Sequence, residues 1–235
     1  MLARAESVAP VRTTVALAGA ELELDPSGAL LWPRERMMVV ADLHLEKGSA
    51  FARRGQMLPP YDTLDTLRRL AAAVAFHQPR IVVALGDSLH DRWAGERMAD
   101  PLRDEVRRIQ AGRTFVWIAG NHDPLPHDLG GEGTAELAVG PLRFRHEPQE
   151  GPVSGEICGH LHPAARVAVR GRAVRRRCFV TDGNRMVLPA FGAYAGGLSV
   201  RDPAIADLFP RRGFRVHLLG ADRTYELPAS ACHPI

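Results

Sequence analysis

Three short apolar runs limit what this chain can fold into: Met37 to Ala41, Ile81 to Leu85 and Phe115 to Ala119. Each is continuous rather than alternating, the pattern of a strand covered on both faces. Two stretches with the helical period lie between them. Leu64, Leu67, Leu70, Ala71 and Val74 share one stripe after Pro59-Pro60, and Met98, Leu102, Val106 and Ile109 share another. Strand, helix, strand, helix, strand predicts a sheet with helices packed over it.

The first thirty residues alternate loosely (Val15, Leu17, Leu22, Leu24, Leu30) around Gly19 and Pro26-Ser27-Gly28, which reads as short strands joined by turns. After about residue 130 the helical period fades. Leu137 to Phe144, Glu156 to Cys158, Ala165 to Val169, Arg177 to Val180, Met186 to Phe191 and Phe214 to Leu219 read as strands, with one short helix at Pro203 to Phe209. The expected architecture is a four-layer α/β/β/α sandwich of two mixed sheets flanked by helices, in one domain over residues 1–235.

At 235 residues the chain can bury a sizeable core. Its longest unbroken apolar run, Leu70 to Phe76, falls far short of the ~18 residues a spanning helix needs, so no membrane contact is expected. Near the N-terminus Glu6 and Arg12 interrupt the apolar residues, and Val15 to Ala20 is too short for a secretory signal. Three cysteines (Cys158, Cys178, Cys232) are too few to staple a chain of this length and point to a reducing, cytoplasmic setting. The net charge is only +3, yet Lys47 is the single lysine among 30 basic residues. Arginine is the better bidentate phosphate ligand, and a GC-rich genome produces the same excess.

The chemistry-bearing residues stand where the strands end. Asp42-Leu43-His44 closes the first run, Gly86-Asp87-Ser88-Leu89-His90-Asp91 the second and Gly120-Asn121-His122-Asp123 the third. His146 follows the strand ending Arg143-Phe144-Arg145, and Gly159-His160-Leu161-His162 follows the next. Ligands of open α/β sheets gather at the carboxyl ends of strands, so these groups are expected to converge. Carboxylates, an amide oxygen and imidazoles, without thiolates, suit Mn²⁺, Fe or Zn²⁺. Seven such ligands are too many for one ion. Two ions ~3.5–4 Å apart that share a carboxylate would use them all, an arrangement suited to in-line phosphoryl displacement.

Asp-x-His, Gly-Asp, Gly-Asn-His-Asp, a lone His and Gly-His-x-His, in this order over residues 42–162, resemble the motifs of the calcineurin-like metallophosphoesterases. The resemblance implies that Asp42, His44 and His162 hold one metal and Asn121, His146 and His160 the other, with Asp87 bridging. It implies in-line attack on a phosphodiester by a metal-bridging hydroxide, with His122 stabilising the transition state or protonating the leaving oxygen. Asp123 would orient and polarise His122.

The family usually has an acid three residues after the bridging Asp; here that residue is His90, with Asp91 next. This variant, with ADLHLEKGSAFARRGQMLPPYD (41–62) and LPAFGAYAGGLSVRDP (188–203), is similar to the bacterial ligase-associated DNA-damage-response endonucleases. Those are manganese-dependent phosphodiesterases found alongside an ATP-dependent DNA ligase, a nuclease and a helicase. The resemblance therefore implies two divalent ions, Mn²⁺ first and Fe or Zn²⁺ second, and internal cleavage of single-stranded DNA in repair. Two other readings stand beside it: hydrolysis of small nucleotides or nucleotide conjugates, and a non-catalytic scaffold that binds proteins.

Arg53 and Arg54, expected in a loop after the first motif, either grip a phosphate or stand as solvated surface. His90 and Asp91 would touch the leaving nucleotide or brace Asp87. Arg166, Arg170, Arg172, Arg175, Arg176 and Arg177, interleaved with valines, form either a basic face for a DNA backbone or a solvated strand. Tyr194, in a glycine-rich turn, is a candidate to stack on a base.

Overall fold

The computed structural model describes residues 11–124, 127–209 and 213–233. One sheet runs in chain order: β1 (Thr13–Leu17), β2 (Ala20–Leu24), β3 (Leu30–Trp32), β4 (Met37–Val40), β5 (Ile81–Leu85), β6 (Thr114–Ile118) and β7 (Glu132–Thr134). Its strands pair antiparallel from β1 to β4 and parallel from β4 to β7. Helices α1 (Lys47–Ala52), α2 (Asp62–His77), α3 (Ala94–Arg97) and α4 (Asp100–Gln110) come from the crossovers between β4, β5 and β6.

The continuous apolar runs divide by parity. Met38 and Val40 of β4, Val82 and Ala84 of β5, and Phe115 and Trp117 of β6 join one core with Leu67, Leu70 and Val74 of α2 and Val106 and Ile109 of α4. Met37 and Val39, Val83 and Leu85, and Val116 and Ile118 face the opposite way, into a core shared with the second sheet. Each such side chain fully withdrawn from water contributes about 1.5–3 kcal/mol, so one strand anchors two layers.

The second sheet holds β8 (Glu136–Val139), β9 (Leu142–Arg145), β10 (Glu156–Cys158), β11 (Pro163–Val169), β12 (Arg172–Thr181), β13 (Arg185–Val187), β14 (Leu198–Ser199), β15 (Arg215–Leu219) and β16 (Thr224–Pro228). Its order is β14-β11-β12-β13-β10-β9-β8, with β15 added on β12 and β16 on β15. β10 lies parallel to both β9 and β13, and β12 antiparallel to β11, β13 and β15. Leu142, Phe144, Ile157, Phe179 and Met186 face the first sheet.

The two mixed sheets appear as expected, but the outer helical layer over the second is thin. Helix α5 spans only Pro203–Ala206, shorter than the pattern predicts, and packs with Phe209, Phe214 and Cys232 over Val180 and Val216. The β11–β12 hairpin runs beyond this cover. It turns at Arg170 and Gly171, both with positive φ, the two-residue geometry that matches strand twist. β12 therefore begins at Arg172, not Arg177, and its first half is largely exposed. Three of the six arginines donate to backbone carbonyls: Arg175 to Gly197 (2.6 Å), Arg176 to its neighbour Arg175 (3.1 Å), and Arg177 to Ala190 (2.8 Å) and Gly192 (2.9 Å).

Among the described residues no helix is long and apolar enough to cross a membrane.

Candidate metal centre

The carboxyl ends of β4, β5 and β6 open on the same edge as those of β9 and β10, and the motif residues meet there. Asp42 and Asp87 are buried, as are His44 and His146. Ligand atoms of Asp42, His44 and His162 lie within 4.8 Å of one another, as do those of Asp87, His146 and His160. His44 Nε2 faces His162 Nε2 at 3.2 Å, and His162 Nε2 stands 3.4 Å from Asp42 Oδ1. In the second group His146 Nε2 is 2.9 Å from Asn121 Oδ1, 3.1 Å from His160 Nδ1 and 3.4 Å from Asp87 Oδ1. Asp87 belongs to the second group, and its other oxygen stands 3.9 Å from His44 Nε2 of the first.

The backbone is bent to bring these side chains in. Asp42, His44, Asp87, His160 and His162 all have φ between +45° and +67°. For a residue with a Cβ that conformation costs on the order of 1–3 kcal/mol and persists where surrounding contacts enforce it. The contacts here are visible. The N–H of His160 donates to both Asp42 carboxylate oxygens (3.1 Å each), and that of His122 to Asp87 Oδ1 (2.9 Å). Leu45 bridges to Leu89 and Ala41 to Ala190, tying the strand ends together.

Two motif glycines are there for space. A Cβ on Gly86 would sit 2.5 Å from the His146 ring, and one on Gly120 would sit 2.2 Å from the Asp87 nitrogen.

The electrostatics are those of a cradle made for positive charge. Burial, then the facing His162, lowers His44 to about 3. Burial also opposes a charged His146, but its hydrogen bond to Asp87 and the Asp42 charge outweigh it and raise it to about 9. Burial raises Asp87, yet the His146 contacts prevail and bring it to about 2. His146 Nδ1 already donates to the Leu85 carbonyl (2.9 Å). Its Nε2 is therefore left among an amide oxygen, an imidazole nitrogen and a carboxylate. Nitrogen and oxygen donors crowded round one point fit a divalent cation, which would displace the His146 proton.

His122 lies at the mouth. Its Nδ1–H donates to the His90 carbonyl (2.8 Å), and its Nε2 points inward, 3.9 Å from Asp87 Oδ2. The expected partner, Asp123, is used elsewhere. Its carboxylate accepts the N–H groups of Leu89 (2.9 Å) and Gly120 (3.1 Å), because it is buried beneath the turn rather than beside the imidazole. Burial, over those hydrogen bonds, raises its pKa to about 6. The backbone of His90, not Asp123, orients His122.

His90 stacks on His122, centroids 5.3 Å apart, and meets His44 edge-on at 5.5 Å. Burial, and then the charges of His122 and Lys47, lowers it to about 4. Asp91 is held by Arg97, whose two terminal nitrogens each reach it at 2.9 Å. Arg53 ends helix α1 rather than sitting in a loop; it and Arg54 are exposed.

Helix α1 has too little apolar periodicity to be read from sequence. It forms because Glu46, buried, accepts the hydroxyls of Ser49 (2.7 Å) and Thr63 (3.1 Å), while Asp62 accepts the Gly48 N–H (3.0 Å). The acids and hydroxyls of residues 46–63 thus brace the site wall, a role their spacing alone does not reveal. A shallow hollow of about 360 Å³ beside Asn121 and His146 adjoins the centre. A larger cleft, about 960 Å³, lies elsewhere, around Phe214 and His217.

A family model described as calcineurin-like phosphoesterase matches residues 35–172. The 3′,5′-cyclic adenosine monophosphate phosphodiesterase CpdA of Pseudomonas aeruginosa is 27% identical over 165 residues, covering 66% of this chain and 53% of that protein. The chain thus spans about half the length of that curated relative. The crystal structure of Pseudomonas putida nuclease MPE matches with a TM-score of 0.70 at 30% identity, over 92% of this chain and 100% of that one.

Proposed function

The chain belongs to the calcineurin-like phosphoesterase family, and from that premise we propose that it is a phosphodiesterase that cuts single-stranded DNA internally, with two divalent cations, manganese foremost. The observation that carries this reading is the pair of adjacent ligand groups, with Asp87 of one 3.9 Å from His44 of the other and from His122. Likeness to a nuclease over nearly the whole chain supports the choice of substrate.

Asp42, His44 and His162 would hold one cation, Asn121, His146 and His160 the other, and Asp87 both. When bound, the pair supplies positive charge for the phosphate oxygens and acidifies a water enough to serve as nucleophile near neutral pH. The remaining steps fall to this chain's own groups. His122, fixed through Nδ1–H to the His90 carbonyl, presents Nε2 to the leaving side of the phosphate. As the oxygen of a water that has given a proton to solvent bonds to phosphorus and the opposite P–O bond breaks, a protonated His122 delivers its Nε2 proton to the departing oxygen. Asp123 holds the turn from Gly120 to Asp123 against Leu89 and so keeps His122 in place. Arg53 and Arg54 take phosphates of the flanking strand.

We place this activity in the cytoplasm, which suits three buried cysteines that form no disulfide. Its pathway is repair, shared with an ATP-dependent DNA ligase, a nuclease and a helicase.

Closed-circular single-stranded DNA with Mn²⁺ tests the reading, because a circle has no ends and only internal cleavage linearises it. The expected result is linear product with the wild type and none with His122→Ala. An intact circle beside hydrolysed 3′,5′-cyclic AMP would turn the assignment to small cyclic nucleotides, the second reading, which the likeness to CpdA favours.

A further inference from the structure

Trp93 stands in solvent beside the centre with 43% of its surface exposed, whereas Trp32 and Trp117 are buried. Two guanidinium groups attend it: Arg92 at 3.9 Å from the ring centroid, and Arg53, from the end of α1, at 5.9 Å. Among the described residues neither of these, nor Arg54, has a carboxylate within ion-pair distance. The arginines that follow, Arg97, Arg103, Arg107 and Arg108, all have one. Charge near Trp93 is therefore left unneutralised while its surroundings are balanced.

The turn that carries the indole is also held in place. Asp91 Oδ1 accepts the Trp93 backbone N–H (2.9 Å), and Arg97 grips the same carboxylate while its Nε donates to Ser49 Oγ of α1 (3.0 Å). Phe51 of α1 meets His90 at 5.8 Å, and His90 meets His44 at 5.5 Å. Helix α1 and the turn after Asp87 thus both reach the ligand cluster through His90.

We propose that Trp93, with Arg53 and Arg92, is a stacking platform for one nucleobase of an unpaired strand, and that Arg53 and Arg54 hold the adjoining phosphates. The proposal rests on the reading of the centre as a DNA phosphodiesterase and states how the strand is presented to it. Every base has a π-face, so stacking tolerates any sequence. A guanidinium both stacks on such a face and grips phosphate oxygens in a fork. Bases within a duplex have their faces covered by neighbours, so the platform selects single strands. Asp91 then acts as a bracket for the platform.

Trp93 is itself the reporter. The full chain is titrated in EDTA, where no cleavage occurs, with a single-stranded oligothymidylate and with a duplex. Tryptophan emission and the anisotropy of labelled strand are both followed. The single strand is expected to quench emission and the duplex to leave it nearly unchanged. Trp93→Phe, which keeps an aromatic face, should abolish the quenching yet hold affinity within about threefold, and Trp93→Ala should weaken binding about 5- to 150-fold. Unquenched emission at saturation, or Trp93→Ala binding like the wild type, overturns the platform. The two readings fail separately. A circle that is cut without any quenching leaves the nuclease and removes the platform. Quenching beside an intact circle supports the platform and removes the nuclease.

Discussion

At the centre, Asp42 and Asp87 are buried on strained backbone, spaced by glycines that leave no room for a methyl group, and locked by N–H groups of neighbouring turns. A few side chains away, Arg53, Arg54 and Trp93 stand in water on a short helix and a turn, the two arginines without ion partners among the described residues. On the proposed reading the two regions would serve one substrate by opposite means. Donor atoms that must share a cation tolerate displacements of a fraction of an ångström, so the fold accepts strain to place them. A rim that receives a flexible polymer needs reach and unpaired charge, and rigidity only where an indole must present a flat face. Changes at the centre should therefore act on turnover and folding, and changes at the rim on binding and its salt dependence.

The strongest challenge to that division is Asp87→Ala, which removes the carboxylate proposed to serve both cations. Manganese-dependent hydrolysis should fall about 10³-fold or more, with fewer than two ions retained, checked by kinetics and metal titration. Next, His122→Ala should lower kcat by about 10²–10⁴ while two ions still bind, since its imidazole clusters with His44 and His90 at the mouth and belongs to neither the Asp42 nor the Asp87 group. Gly120→Ala asks whether the centre is limited by space: its Cβ would fall 2.2 Å from the Asp87 nitrogen and 2.6 Å from Asp123 Oδ1. A loss of about 1–3 kcal/mol by thermal or urea unfolding is expected. A stable, active variant would show the centre to be looser than these distances require.

At the rim, Arg53→Ala with Arg54→Ala should leave kcat nearly unchanged and flatten the salt dependence of single-strand affinity. The slope should drop by about 0.7 for each phosphate that is no longer neutralised.

The smallest effect belongs to neither region. Asp25 lies 3.0 Å from His77, which closes α2. Burial raises the Asp25 pKa, but hydrogen bonds from His77 and Ser27 outweigh it and set it below the ordinary carboxylate value. A depressed carboxyl contributes stability that is present above its unfolded pKa of about 3.9 and is lost as pH falls through the folded value. Asp25→Asn should thus cost about 1 kcal/mol at pH 7 and approach the wild type in strong acid, as melting at several pH values would reveal.

How much of the molecule is legible in the sequence varies with how local the cause is. β4, β5 and β6 are legible as continuous apolar runs because each is covered on both faces. β7 and β14, of three and two residues, carry too short a pattern to read. β16 is equally hidden: its exposed Tyr225 and Glu226 blur the alternation. Helix α1 reads as a loop since its hydrogen bonds come from Thr63 and Asp62, more than ten residues away. Asp123 looks like a partner for the adjacent His122, but a turn as tight as this one points neighbouring side chains to different sides. Tyr194 reads as a stacking residue from its glycine-rich turn, but the exposed, arginine-flanked Trp93 carries no such local signal.

The sequence by itself determined the donor types and their place at strand ends, because metal-ligand chemistry is carried by residue identity and a strand's end is a local signal. Only the tertiary structure decided which arginines remain unneutralised, which tryptophan faces water, and which carbonyl orients His122. Those depend on the partners that distant segments bring, and a charge or an aromatic ring acquires its role only when the rest of the chain has, or has not, covered it.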